Sequence, residues 1–141
     1  MKICKNKKHL EKKCIDIENI DNALKIATNM IMHCMTSTYK NEVIGLAHNQ
    51  VFGNYNIFIA RLNDRWKSFI NPIIMNKKHP YKCVEQCMSF PNKTRKVKRY
   101  KMIILQHYTK NGMIIEKFEG VDAQIIQHEV DHLNGIHIFN K

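Results

Sequence analysis

Apolar residues first recur at helical spacing from Ile20 onward: Ile20, Leu24, Ala27, Ile31, Cys34 and Met35 follow one another at steps of one, three or four. That spacing predicts an amphipathic helix whose stripe faces the core, with Asp21 favouring its start and an end near Tyr39-Lys40-Asn41. Residues 1–19 carry much charge and little periodicity, and read as an arm lying over the domain. After Ile44-Gly45-Leu46-Ala47-His48-Asn49-Gln50 the pattern shortens into β-like runs. Asn56 to Leu62 is one; Phe69 to Met75 is another, in which Pro72, having no N–H for a ladder, favours an edge or a bulge. Met102 to Tyr108 and Met113 to Phe118 flank Thr109-Lys110-Asn111-Gly112, whose Asn-Gly pair signals a hairpin because both residues tolerate positive φ. Val121 to Leu133 returns to helical spacing and stops at Asn134-Gly135. The predicted fold is α+β: one helix, several mostly antiparallel strands, then a C-terminal helix against which they pack.

Composition narrows this further. A chain of 141 residues, 44% apolar, suits one globular domain over residues 1–141. No apolar run approaches the roughly 18–20 residues that span a bilayer, so no membrane partner is expected. The basic N-terminus has no apolar stretch behind it and does not read as a signal peptide. Five cysteines at irregular spacings argue against a disulfide framework and for a reducing, cytoplasmic setting. The net charge of +11 fits either a lysine-solvated surface or attraction to nucleic acid, including the ribosome's RNA, and charge alone does not specify a partner.

The second helix carries the chemistry. In Gln127-His128-Glu129-Val130-Asp131-His132 two histidines stand at i and i+4, on one face and one turn apart, where they can share a metal ion. Glu129 follows the first histidine, near enough to exchange protons at the same ion without ligating it. A helix that buries Val121, Ile125, Ile126 and Leu133 beside these polar groups needs compensation for them, and a metal supplies it. A catalytic site of this kind takes three protein ligands and keeps one open position; Asp, Glu, His or Cys from elsewhere qualifies as the third. The pattern does not name a reaction, since zinc peptidases use the same helix.

Three segments together are more specific. Ile44-Gly45-Leu46-Ala47-His48-Asn49-Gln50, Val84-Glu85-Gln86-Cys87-Met88-Ser89-Phe90-Pro91 and Gln127 to Gly135 resemble, in order and spacing, the three motifs of the peptide deformylases. The resemblance covers roughly residues 20–140 and is to the compact, short-tailed form found in bacteria and bacteriophages. It implies removal of the formyl group from the N-terminal N-formylmethionine of nascent polypeptides, with release of formate. It implies one divalent metal ion on Cys87, His128 and His132, natively Fe(II), with zinc, nickel or cobalt as substitutes. Water activated at the metal would be the nucleophile, with Glu129 as general base and then acid. The Gln50 amide and the Met88 backbone N–H would stabilise the formyl oxygen. The methionine side chain would enter a pocket lined by Ile44, Val121 and Ile125, with substrate backbone along Gly45 as an added strand. Glu85 would pair with Arg99 to brace the Cys87 loop, and Asp131 would orient part of the helix or a histidine. The expected assembly is a monomer whose basic surface draws it to the ribosome.

Four features depart from the family pattern: Val43 and Gln86 stand where glycines are usual, His48 stands for an alanine, and no long extension follows Phe139. A long side chain at Gln86 would narrow the entrance, Val43 would forgo glycine's backbone freedom, and His48 is expected at the surface.

Overall fold

The computed structural model describes residues 2–37 and 41–141. A single helical turn, α1 (Lys7–Leu10), is followed by the long helix α2 (Ile20–Thr36). Then come β1 (Gly45–Ala47), a 3-10 turn over His48–Val51, β2 (Ile57–Leu62), β3 (Arg65–Cys87), β4 (Phe90–Thr109), β5 (Gly112–Glu119) and the last helix α3 (Gly120–Leu133). All strand pairs are antiparallel, in the order β1-β2-β3-β4-β5, so the sheet is a simple meander.

The meander lies between the two long helices, and β2 shows how. Its even positions Phe58 and Ala60 join Ala47, Phe69, Ile103 and Leu105 against Ile126 and Val130 of α3. Its odd positions Ile57 and Ile59 join Leu46 and Ile70 against Ala23, Ala27, Met30 and Cys34 of α2. A strand covered on both faces has no polar face to show, which is why Ile57-Phe58-Ile59-Ala60 is an unbroken apolar run. The buried stripe of α2 is centred on Ala23, Ala27, Met30 and Cys34, and Met35, expected within it, is 56% exposed. Asn19 caps this helix by accepting from the Asn22 N–H at 3.0 Å, with Asp21 in the first turn. α2 ends at Thr36, and Tyr39 and Lys40, where its stop was expected, lie outside the described residues.

Two predicted irregularities occur, each with a twist. The register of β3 against β4 slips between Ile70 and Ile73, at Pro72, in an interior strand. Asn71 there has φ 49°, and its side-chain amide accepts from the Ile17 N–H and donates to the Ile17 carbonyl, tying down the N-terminal arm. The β4–β5 hairpin turns on Lys110-Asn111, with Thr109 paired to Gly112; Gly112 alone takes the positive φ that both members of the Asn-Gly pair were expected to share.

The N-terminal arm does more than cover the domain. Ile3, Cys4, Leu10, Cys14 and Ile17 are buried, and Cys4 and Cys14 donate backbone N–H groups to the carbonyls of Gln50 and Leu133. All five cysteines are free thiols. No helix among the described residues is long and apolar enough to cross a membrane.

Helix α3 stops where the sequence indicates. Gly135 has φ 75°, and the N–H groups of Gly135 and Ile136 bond to the carbonyls of His132 and Asp131. A Cβ on Gly135 would also lie 2.6 Å from the Glu11 carbonyl oxygen. Gly135→Ala should therefore cost more than about 1 kcal/mol, through both strain and collision, as read by urea unfolding. An unchanged midpoint would show that neither constraint operates.

Candidate metal centre

Strands β3 and β4 form a long hairpin whose distal half lies along α3, where Tyr81 meets Gln124, Tyr100 meets Gln127 and Glu85 meets His128. The tip is the two-residue turn Met88-Ser89, with Cys87 paired to Phe90 across it. Residues 91–93 are extra on the β4 side, so the register jumps from Gln86–Thr94 to Cys87–Phe90. That bulge turns the Cys87 thiol into the protein, where it is 6% exposed and packs with Cys4, Leu10, Phe90 and Ile138.

From α3 the two histidines reach the same point. Cys87, His128 and His132 each offer a ligand atom, and these atoms lie within 4.8 Å of one another; Cys87 Sγ is 3.2 Å from His132 Nε2. The donors suit a divalent transition metal: one sulfur, two imidazoles, all converging in a buried pocket. The hydrogen bonding of His128 supports this, because its Nδ1 is held by Glu85 Oε1 at 2.8 Å, which leaves Nε2 for the site. Burial, the largest cause, pushes the His132 pKa well down, which keeps that ring neutral, as a ligand requires.

Glu85 is the node of the supporting network. The Arg99 guanidinium grips it with two bonds of 2.8 Å, Nε to Oε2 and Nη2 to Oε1, and Gln124 Nε2 donates to Oε2 at 3.2 Å. Arg99 is only 2% exposed. Burial opposes the Glu85 charge, but Arg99 and His128 outweigh it and hold the carboxyl well below its usual range. Arg99 also bonds Asp131, which Lys141 Nζ meets at 3.1 Å. Asp131 thus braces the helix through Arg99. Glu85, expected to brace the Cys87 loop, also orients a histidine directly.

Glu129 lies beside this cluster, 4% exposed, with Oε1 unpartnered. Burial first, and then the nearby Glu85 and Asp131 charges, raise its pKa to about 7 against the opposing pull of His128 and Arg99. Gly45 makes room for it: a Cβ there would come within 2.5 Å of Glu129 Oε2. Gln50 is fixed from behind by the Ala47 N–H, which donates to its Oε1 at 3.0 Å. Its Nε2 faces Ser89 Oγ at 3.2 Å and Cys87 Sγ at 3.6 Å.

Cys87, His128, Glu129, Gln50 and Glu85 line a cavity of about 670 Å³ that also takes in Ile44, Gly45, Met88 and Ile125, while His132 is fully buried and does not reach it. Val121 is not among them. It is 68% exposed and borders a separate, shallower depression with Tyr81, Met102 and Gln124, because it sits in the first turn of α3, ahead of the face that meets the sheet. Of the unusual positions, Val43 is buried beside α2 and has no left-handed backbone, so glycine's freedom is not needed there. His48 is neither a surface residue nor a ligand: its Nδ1 accepts from the Tyr55 N–H at 3.1 Å, and its ring fills the space over Gly53 and stacks on Tyr55. Gln86 is exposed on the cavity rim near Asn92.

Three supporting residues escaped sequence reading. Gln127 bonds the Tyr100 backbone at both N–H and C=O (2.9 and 2.7 Å), Asn49 Nδ2 donates to the His132 carbonyl at 2.6 Å, and Ser89 receives Gln50. Gln127 and Asn49 each lie beside a recognised motif position, a weak signal that spacing alone could not convert into contacts.

A sulfur and two imidazoles beside a buried, unpartnered glutamate, in a cleft open to substrate, define a metallohydrolase site on an α+β scaffold. The comparisons say which: the model of the polypeptide deformylase family matches residues 1–141, and the chain belongs to that family. It is 36% identical over 134 residues to the peptide deformylase of Karelsulcia muelleri, covering 89% of this chain and 69% of that protein. The peptide deformylase structure from Plasmodium falciparum superposes with a TM-score of 0.86 at 28% identity, covering all of this chain and 85% of that one. That from Vibrio parahaemolyticus bacteriophage VP16T, solved with actinonin, gives 0.86 at 29% identity over 98% of this chain and 100% of that one.

Glu85→Gln removes the charge that aims His128 and should lower metal affinity about 10–100-fold in a chelator competition. Unchanged affinity would show that His128 needs no such support.

Proposed function

We propose that residues 1–141 act as one catalytic domain, holding a single divalent metal ion on Cys87, His128 and His132, natively Fe(II), with zinc, nickel or cobalt as substitutes. The chain removes the formyl group from the N-terminal N-formylmethionine of nascent polypeptides. The observation that carries this reading is the convergence of those three ligand atoms within 4.8 Å beside Glu129.

When bound, the ion supplies Lewis acidity, polarising the formyl carbonyl and making water more acidic. Glu129 accepts a proton from the water that adds to the formyl carbon. The Gln50 amide and the Met88 N–H donate to the formyl oxygen as negative charge grows there. Glu129 then delivers its proton to the leaving amine, the C–N bond breaks, and formate and a free N-terminus result. What supports this assignment is the state of each group: Glu129 Oε1 is unpartnered, and Gln50 is oriented by the Ala47 N–H so that its amide faces Cys87.

Ile44 and Ile125 receive the methionine side chain, since both line the same cavity as Cys87, His128 and Glu129. Substrate backbone extends along Gly45, on the outermost strand of the sheet. Val121 contacts residues further along the peptide, at the neighbouring depression. The protein works as a monomer in the cytoplasm, and its net charge of +11 draws it to the ribosome, where its substrates emerge.

Formate release from formyl-Met-Ala-Ser, with iron- or nickel-loaded protein under anaerobic conditions, tests the reaction; release no greater than a metal-only control would overturn it. Glu129→Gln should retain the metal and lose about 10²–10⁴-fold in kcat, as expected for a group that moves protons. Cys87→Asp should also abolish turnover, whereas a zinc peptidase drawing its third ligand elsewhere would tolerate it.

A further inference from the structure

The excess positive charge is not spread evenly. Strands β3 and β4 carry eleven Lys and Arg residues against one acid, Glu85, and that acid is buried with Arg99. The sheet register then sorts the cations by face. Lys82 stands directly opposite Lys98 and Val84 opposite Lys96, while Glu85, on the alternate face, points to α3. Lys78, Lys82, Lys96 and Lys98 are all exposed, and none has an acidic partner among the described residues. Lys77 and Lys98 both lie over the Tyr100 ring, at 4.9 and 5.4 Å from its centre.

Like charges placed directly across a ladder destabilise a hairpin. A protein that needed only solubility would intersperse acids, as on β5, where Lys117 pairs with Glu119. An array of ammonium groups along two extended strands, with no acidic partner among the described residues, matches a polymer with regularly spaced negative charge. Val84 and Gln86 continue the same face to the cavity rim.

We infer that this outer face of the β3–β4 hairpin binds the phosphate backbone of RNA, holding the cavity mouth beside it. The choice of RNA rests on the proposed action at the ribosome; the location of the face rests on the register and the charges alone. Recognition would be electrostatic and indifferent to sequence, with binding that weakens steeply with salt.

The test is fluorescence anisotropy of a labelled hairpin RNA with metal-loaded full-length protein across a salt series. Replacing Lys82, Lys96 and Lys98 together by Gln should weaken binding about tenfold or more and reduce the slope of log K against log salt by roughly two to three. Replacing them by Arg should retain binding, and an equal-charge control, Lys7→Gln with Lys12→Gln and Lys13→Gln, should lose much less. The melting temperature of the Gln triple should be unchanged or raised, since the Lys82–Lys98 repulsion is relieved. Equal losses in both Gln triples would overturn the inference, as would no RNA binding at low salt or tighter binding to phosphatidylglycerol vesicles than to RNA. Binding is read without turnover, so failure of formate release in the wild type would count against the proposed reaction and leave the RNA result intact.

Discussion

The ion pair between Glu85 and Arg99 is the constraint on which the site depends. A guanidinium that is 2% exposed must find acceptors inside the protein, and here it has two carboxylates, one on each element that builds the centre. Glu85 belongs to the hairpin that carries Cys87, and Asp131 to the helix that carries both histidines. Arg99 therefore sets the position of the hairpin tip relative to α3. Buried ion pairs seldom add net stability over a hydrophobic alternative, but removing one partner strands the other at several kcal/mol. The consequence is registry: only one alignment of hairpin on helix satisfies Arg99, Glu85, Asp131 and His128 together, and in that alignment three ligand atoms meet.

Around this node the backbone is held at several further points. Gln127 locks α3 to β4 at Tyr100, next to Arg99, and Asn49 ties the 3-10 turn to the end of α3. The N-terminal arm closes the far side, with Cys4 and Leu10 packed against Cys87 and Phe90. Gly45 leaves the space into which Glu129 fits. The departures at Val43 and His48 are absorbed by this scaffold, one in the core beside α2 and the other in a stack on Tyr55. Gln86 alone stands at the entrance.

How much of this was legible in the sequence depends on whether local periodicity carried it. The two long helices, the β2 run and the α3 stop follow from spacing and from Gly135, and the histidines of α3 from their i, i+4 placement. Cys87 was legible only through resemblance, because it comes from a hairpin tip some forty residues away and no local rule links the two. The full length of β3 and β4 was not legible, because between Asn76 and Lys101 closely spaced charges leave no sustained apolar alternation to mark a strand. Val121 and Met35, both expected in buried stripes, are exposed for one reason. Helical spacing finds a stripe but not which edge of it turns outward, and that is decided by the partner surface.

The central claim is that the hairpin and helix present one thiolate and two imidazoles to a single ion, aligned by Arg99 and Glu85. X-ray absorption on the zinc-loaded protein reads that coordination directly. One sulfur and two imidazole nitrogens per metal, with the sulfur lost on Cys87→Ser, is the predicted result. A spectrum without sulfur, or one unaltered by that replacement, would contradict it.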